Sequence, residues 1–352
     1  MIINKKNNFN FKEKKKIYEG ANWNKFEDKY TQHFYEQNLS QFWRPEDVSL
    51  QSDLITWEKL SLTEKQVYSQ NLLILTFLDT YQGDIGMPII LRSFESFEHQ
   101  KKATLNFMGA MENAVHAKSY SNIFMTFLSK KKIEELFAWG KKQKNLQNII
   151  NIIVDIYENL EKQVAIKKFF SEQYDNNIFN ESKWQALVAS VFLETWLFYS
   201  GFYYPLFFYG QGMLMQSGEI INLIIRDESI HGVYIGRLSR ELYNSFSAEQ
   251  KNKLKNWLDN LLDKLYIEQI SIIKELYNKV GLYEDVNIFV RYNINKALLN
   301  LGFDQKFPHE DVNPVILNGL NTETKTMDNF SLKGNGYQKM ISESLKDEDF
   351  IF

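Results

Sequence analysis

The stretch ALVASVFLETWLFYSGFYYPLFFYG, residues 186–210, restricts this chain more than any other, because between Lys183 and Glu219 the only charged side chain is Glu194. An apolar run of roughly 20 residues or more either crosses a bilayer or forms the central helix of a large core. Here a carboxylate sits in the middle, Gly201 and Pro205 interrupt the run, and no second span or Lys/Arg-biased flank follows. A buried core helix is therefore expected, and no membrane partner.

The rest of the chain must supply the helices that cover it. With 5 prolines, 16 glycines and apolar residues spaced three and four apart, the pattern predicts an all-α chain. The expected helices cover about 25–37, then a stretch opened by a Ser61/Glu64 capping box and running through Gly83, then 96–127, 131–141, 143–170, 183–209, 216–245, 248–279 and 284–301. NNIFNES, 176–182, reads as a loop. No fixed-period repeat is visible, which disfavours a solenoid. We expect one helical domain over 21–305, preceded by a Lys- and Asn-rich flexible arm, 1–20, and followed by a flexible tail, 306–352.

Composition excludes several functions. There are no cysteines, hence no disulfides, thiolate catalysis, iron–sulfur clusters or Cys-based zinc sites, and a reducing cytoplasm suits such a chain. A net charge of −3 gives no general attraction to nucleic acid.

The chemistry lies in acids and imidazoles placed where an apolar helix should not carry them. Glu112, His116 and Tyr120 recur every four residues in MENAVHAKSY. Glu228 and His231, three apart, sit among Ile224, Ile225, Ile230, Val233 and Ile235. Asp79 in LLILTFLDTY and Glu194 stand alone. Each acid taken singly has an ordinary explanation, such as a helix-end contact. Together they are two lone acids and two acid–His pairs on four apolar helices, the division by which a four-helix core holds a dinuclear metal site. Four carboxylates also offset the charge of two divalent ions. Glu112 and His116 are four apart where three is usual; a local helix irregularity would realign them, and Asn113, at the three-residue offset, is the less suitable ligand. His33, His99 and His309 lack this context and read as surface or structural residues.

At this point the chain resembles the small, radical-generating subunit of class I ribonucleotide reductase, most of all class Ib. The resemblance rests on QFWRPEDV, LDTYQGDIGMPI, MENAVHAKSYSNIFMT, VFLETWLFYSGFYYP, IIRDESIHGVYIG, NKALLNLGF and KGNGY. It implies a ferritin-like helical bundle with a dinuclear site in its four-helix core and additional satellite helices. It also implies Asp79, Glu112, His116, Glu194, Glu228 and His231 as ligands of two manganese or two iron ions, and Tyr120 as the phenol oxidised to a stable tyrosyl radical. Trp43 and Asp227 match the residues connecting His116 to the subunit surface, and Tyr337 the tail tyrosine that relays the radical. The ending DEDFIF, with Phe350 and Phe352, is similar to the tail that docks on the large subunit. A homodimer and a flavodoxin-like activator protein are implied as well. Two departures touch no ligand: residues 163–182 are longer than in typical relatives, and about two residues are added before Glu112. Two other readings fit the same bundle, a stand-alone dimetal oxidase and a non-catalytic iron-binding protein. Neither requires Trp43, Tyr120 or a tail carrying Tyr337.

Overall fold

The computed structural model describes residues 17–320. Tyr337, Phe350, Phe352 and most of the expected N-terminal arm lie outside the described residues.

The described chain is helical, without a strand. Its α-helices are α1 (Lys29–Gln41), α2 (Leu54–Lys59), α3 (Leu62–Tyr81), α4 (Met87–Arg92), α5 (His99–Met111), α6 (Lys118–Phe127) and α7 (Lys130–Lys142). They continue with α8 (Lys144–Phe169), α9 (Asn176–Phe192), α10 (Tyr199–Tyr209), α11 (Met215–Asn244), α12 (Ala248–Tyr277), α13 (Tyr283–Asn300) and α14 (Pro314–Leu320). Three π-helical turns interrupt the longest runs: Gln82–Gly86 joins α3 to α4, Glu112–Ala117 joins α5 to α6, and Leu193–Leu197 lies between α9 and α10. The central layer consists of α3, α5–α6, α9–α10 and α11, with α1, α8, α12 and α13 packed around it.

Several starts follow from caps. Ser61 and Glu64 form the expected reciprocal box at α3, with Glu64 N–H donating to Ser61 Oγ at 3.2 Å and Ser61 N–H to Glu64 Oε2 at 2.7 Å. The first helix begins at Lys29, later than expected, because Asp28 accepts the Thr31 N–H at 2.7 Å. The segment expected as a loop at 176–182 is the first turns of α9. Asp175 caps it through the Asn177 and Ile178 N–H groups, while Phe179 and Ser182 turn into the core. Tertiary burial there outweighs the weak helix preference of asparagine.

Within Asn176–Tyr209, the most apolar window is wholly inside the protein. Tyr203, Tyr204 and Phe208 bury their rings against Tyr68, Tyr277 and Phe289, and Phe202 lies edge-on to Phe198 and Tyr199, each burial contributing about 1.5–3 kcal/mol.

Residues 306–320, expected as the beginning of a free tail, are packed. Arg291 pairs with Glu310, and Asn295 Oδ1 accepts from the Lys306 and Phe307 N–H groups, each at 3.0 Å. Val312 and Ile316 are buried, and α14 rests on α10. Side-chain bonds to irregular backbone before α14, and the 7-residue length of α14 itself, leave little periodicity to detect. The contact depends on glycine: a Cβ on Gly210 would lie 2.0 Å from Val315 O, and one on Gly319 2.8 Å from Leu206 O. Gly210→Ala is therefore expected to loosen α14 at a cost of about 1–3 kcal/mol, the usual range for overpacking. Hydrogen exchange should show faster exchange of the 314–320 amides with α3 unaffected; unchanged protection there would refute the packing.

Candidate metal centre

Asp79 lies in the last turn of α3, Glu194 lies in the third π turn, and Glu228 and His231 share one face of α11. Glu112 and His116 both fall within the second π turn. In an α-helix a three-residue step ends about 60° behind its start and a four-residue step about 40° ahead of it. A π turn, closed by i→i+5 hydrogen bonds, winds roughly 80–85° per residue, so a four-residue step ends about 30° behind. The wide turn thus gives Glu112 and His116 nearly the relation that Glu228 and His231 have in regular helix. Asn113 points away, its amide donating to Asp84 at 2.6 Å on the surface.

The first two π turns meet at glycines. A Cβ on Gly83 would lie 2.8 Å from Gly109 O and 3.1 Å from Glu112 Cβ, so the missing side chain lets the two backbones approach. The start of α11 is fixed by Asp53, which accepts the Gln216 and Ser217 N–H groups at 3.0 and 2.7 Å.

Six side chains converge as a result, all fully buried. They form two overlapping quartets, Asp79, Glu112, His116 and Glu228, and Glu112, Glu194, Glu228 and His231, whose donor atoms lie within 4.8 Å of one another. Glu112 and Glu228 belong to both, the arrangement expected of bridging carboxylates. His116 Nδ1 is 3.0 Å from Glu228 Oε1 and 3.5 Å from Glu112 Oε2. His231 Nδ1 is 3.0 Å from Glu112 Oε1 and 3.4 Å from Glu194 Oε2. Metal–ligand bonds of roughly 2.0–2.2 Å place neighbouring donors about 3 Å apart, so these separations fit one ion in each quartet.

The unused hydrogen-bonding capacity points the same way. Both oxygens of Asp79 and of Glu228, Oε2 of Glu112 and of Glu194, and Nδ1 of His116 are buried without a hydrogen bond. Such orphaned groups are costly unless something else satisfies them. Burial pushes the Asp79 carboxyl well above its usual range, and Glu112 adds to the shift. Glu228 rises for the same reason, through burial and then Glu112 and Glu194. For Glu112, burial also acts upward, but His116 and His231 outweigh it and hold the group at about 2. Burial would lower both imidazoles, yet the surrounding acids raise them well above their ordinary value. The donor set fits a metal pair.

Around this cluster lie the other expected residues. Asp227 Oδ2 is 3.2 Å from His116 Nε2 and accepts the Trp43 Nε1–H at 2.7 Å, making a buried line Trp43–Asp227–His116. Gln41 donates to the second Asp227 oxygen at 3.3 Å. Tyr120 is completely buried, and its hydroxyl has no hydrogen-bond partner among the described residues. Tyr337 lies outside the described residues, and His33, His99 and His309 lie outside the cluster. Sequence reasoning missed Gln82, whose amide donates to Glu194 Oε1 at 2.5 Å, and Tyr157, whose hydroxyl donates to Gln82 Oε1 at 2.6 Å. The one signal for Gln82 is its position three residues after Asp79; Tyr157, on α8, carries none.

Comparison with known proteins agrees with this geometry. The family described as "Ribonucleotide reductase, small chain" matches residues 20–314. The ribonucleoside-diphosphate reductase subunit beta of Bacillus subtilis (strain 168) is 53% identical over 337 residues, covering 96% of this chain and 97% of that protein. The ribonucleoside-diphosphate reductase 2 subunit beta of Escherichia coli (strain K12) is 35% identical over 334 residues, covering 94% and 97%. Among solved structures, the dimanganese(II)-NrdF of Streptococcus sanguinis superposes with a TM-score of 0.78 at 40% identity, covering 87% of this chain and 100% of that one. These relatives support a reductase subunit over a stand-alone oxidase or an iron-binding protein. The chain belongs to the ribonucleotide reductase small chain family, an oxidoreductase family, and is a class I small subunit most like class Ib, with a ferritin-like fold and a dinuclear metal centre.

Proposed function

We propose that Asp79, Glu112, His116, Glu194, Glu228 and His231 hold two metal ions that serve to oxidise Tyr120 to a stored tyrosyl radical. The oxidising equivalent then passes to the large subunit, where ribonucleotides are reduced to deoxyribonucleotides. The observation that carries this reading is the pair of buried quartets sharing Glu112 and Glu228, with a fully buried phenol one helical turn beyond His116. When bound and activated by an external oxidant, the metal pair supplies the oxidising power.

The chain's own residues define the remaining steps. Burial, with Asp79, Glu228 and Glu112 nearby, raises the Tyr120 pKa well above normal, so the resting phenol keeps its proton and oxidation must remove a proton together with the electron. The apolar surroundings then shield the product from quenching. Trp43 and Asp227 provide a hydrogen-bonded route from His116 towards the surface, with Trp43 and His116 rings stacked at a centroid distance of 6.4 Å. Tyr337 and the DEDFIF tail, outside the described residues, would continue the route and dock on the large subunit.

The donor set suits manganese and iron alike. The similarity to a dimanganese(II) protein supports manganese, delivered its oxidant by a flavodoxin-like activator protein, with iron and oxygen as the second reading. A small subunit of this family works with a large subunit and as a dimer. The cytoplasm is the compartment we propose.

Tyr120→Phe is expected to retain two metal ions per chain while losing the tyrosyl signal in electron paramagnetic resonance and at least about 1,000-fold of reductase activity; reductase activity at the wild-type level would refute the radical assignment. Removing residues after Ser331 should preserve the radical and abolish turnover with the large subunit, and full activity would refute docking by the tail. Metal binding competes with protons at Asp79, Glu228 and both imidazoles, whose pKa values are raised. Manganese affinity should therefore fall as pH falls, with net proton release visible by calorimetry in buffers of different ionisation enthalpy. Affinity independent of pH would contradict the assigned protonation.

A further inference from the structure

We propose that Gln82 and Tyr157 form a positioning clamp on Glu194 that sets the affinity of one of the two ions, the one held by Glu112, Glu194, Glu228 and His231. The inference rests on the two-metal reading above and concerns residues to which that reading gives no role.

The clamp is assembled from three elements. Gln82 opens the first π turn, Tyr157 comes from α8 and Ser190 from α9, and all three side chains are fully buried. Gln82 Nε2 donates to Glu194 Oε1 at 2.5 Å and to Ser190 Oγ at 2.7 Å. The amide is oriented by its partners on both sides, its nitrogen towards the Glu194 and Ser190 oxygens. Gln82 Oε1 must then face Tyr157, whose hydroxyl donates to it at 2.6 Å. One Glu194 oxygen is thereby engaged. The other, Oε2, is left without a hydrogen bond, 3.4 Å from His231 Nδ1, and is the oxygen a metal can use.

Gly86, at the end of the same π turn, belongs to the device. A Cβ there would lie 2.6 Å from Gln82 Oε1 and 2.7 Å from a Tyr157 ring carbon, so only glycine leaves room for the amide and the ring together.

On the other flank His116 is steadied by Asp227, itself held by Trp43 and Gln41. The two supports share no residue. Each half of the centre thus has its own outer partner, and such partners typically change metal affinity by about 10–100-fold when removed.

Gln82→Leu keeps the bulk of the side chain and removes its hydrogen bonds. In manganese titrations followed by electron paramagnetic resonance and calorimetry, the wild-type chain should bind two ions tightly. The variant should keep one and bind the other about 10–100-fold more weakly. Anomalous scattering from manganese-soaked crystals should place the retained ion beside Asp79 and His116. Tyr157→Phe, which removes a single oxygen, should weaken the same ion by a smaller factor, and it carries the test if Gln82→Leu fails the circular dichroism and melting controls on the metal-free chain. Equal weakening of both ions, loss of the ion beside Asp79 instead, or no change in either folded variant overturns the clamp. Fewer than two ions in the wild-type chain would refute the two-metal reading itself.

Discussion

Four carboxylates cannot stay together as four anions inside an apolar bundle. Desolvating each one costs several kcal/mol even after relaxation, and their mutual repulsion in a low dielectric adds to it. Asp79, Glu112, Glu194 and Glu228 nevertheless meet at zero exposure. The conflict shows in the titration of the cluster: burial and the neighbouring acids raise Asp79 and Glu228, and the acids raise both imidazoles. Much of the surrounding architecture serves the convergence. Glycines let π turns touch, Asp53 anchors the start of α11, and the aromatic wall of α10 excludes water.

How much of this the sequence discloses depends on the cost of each residue in its setting. Asp79 in LLILTFLDTY, Glu194 in a run without other charge, and DESIH among isoleucines stand out because an acid in an apolar helix has no cheap alternative. Helices with regular periodicity, such as α8, α11, α12 and α13, are legible within a residue or two at each end. The start of α9 is not, since its asparagines favour a loop and the Asp175 cap with the burial of Phe179 and Ser182 decides otherwise. The start of the 306–320 segment is hidden because Asn295, on α13, holds irregular backbone through its side chain, and α14 is only 7 residues long. Gln82 and Tyr157 are invisible because a neutral amide and a phenol are unremarked in any helix until their partner is known. The resemblance adds roles for Trp43 and Tyr120 that residue types alone do not assign.

The centre is also unequal about its own midline. The His116 side faces Asp227 and Trp43, a buried line of hydrogen bonds. The Glu194 side faces Gln82, Ser190 and Tyr157, a closed set with no exposed member. One flank rests on a carboxylate and an indole and the other on an amide, a hydroxyl and a phenol, although both are built from the same bundle.

The π turns have a consequence for how such a chain can change. Adding one residue to an uninterrupted α-helix rotates everything beyond it by about 100°, which would swing the downstream half of a core helix out of its layer. The turn at Glu112–Ala117 absorbs an additional residue within its own width, and α6 leaves it with Tyr120 still facing the interior. Insertions and deletions between ligands can therefore be tolerated where the helix is already wide, while the distances among the donors stay fixed. Linear spacing can drift in descendants of this chain without dismantling the chamber, so a motif defined by strict intervals would overlook some sites that remain whole in three dimensions.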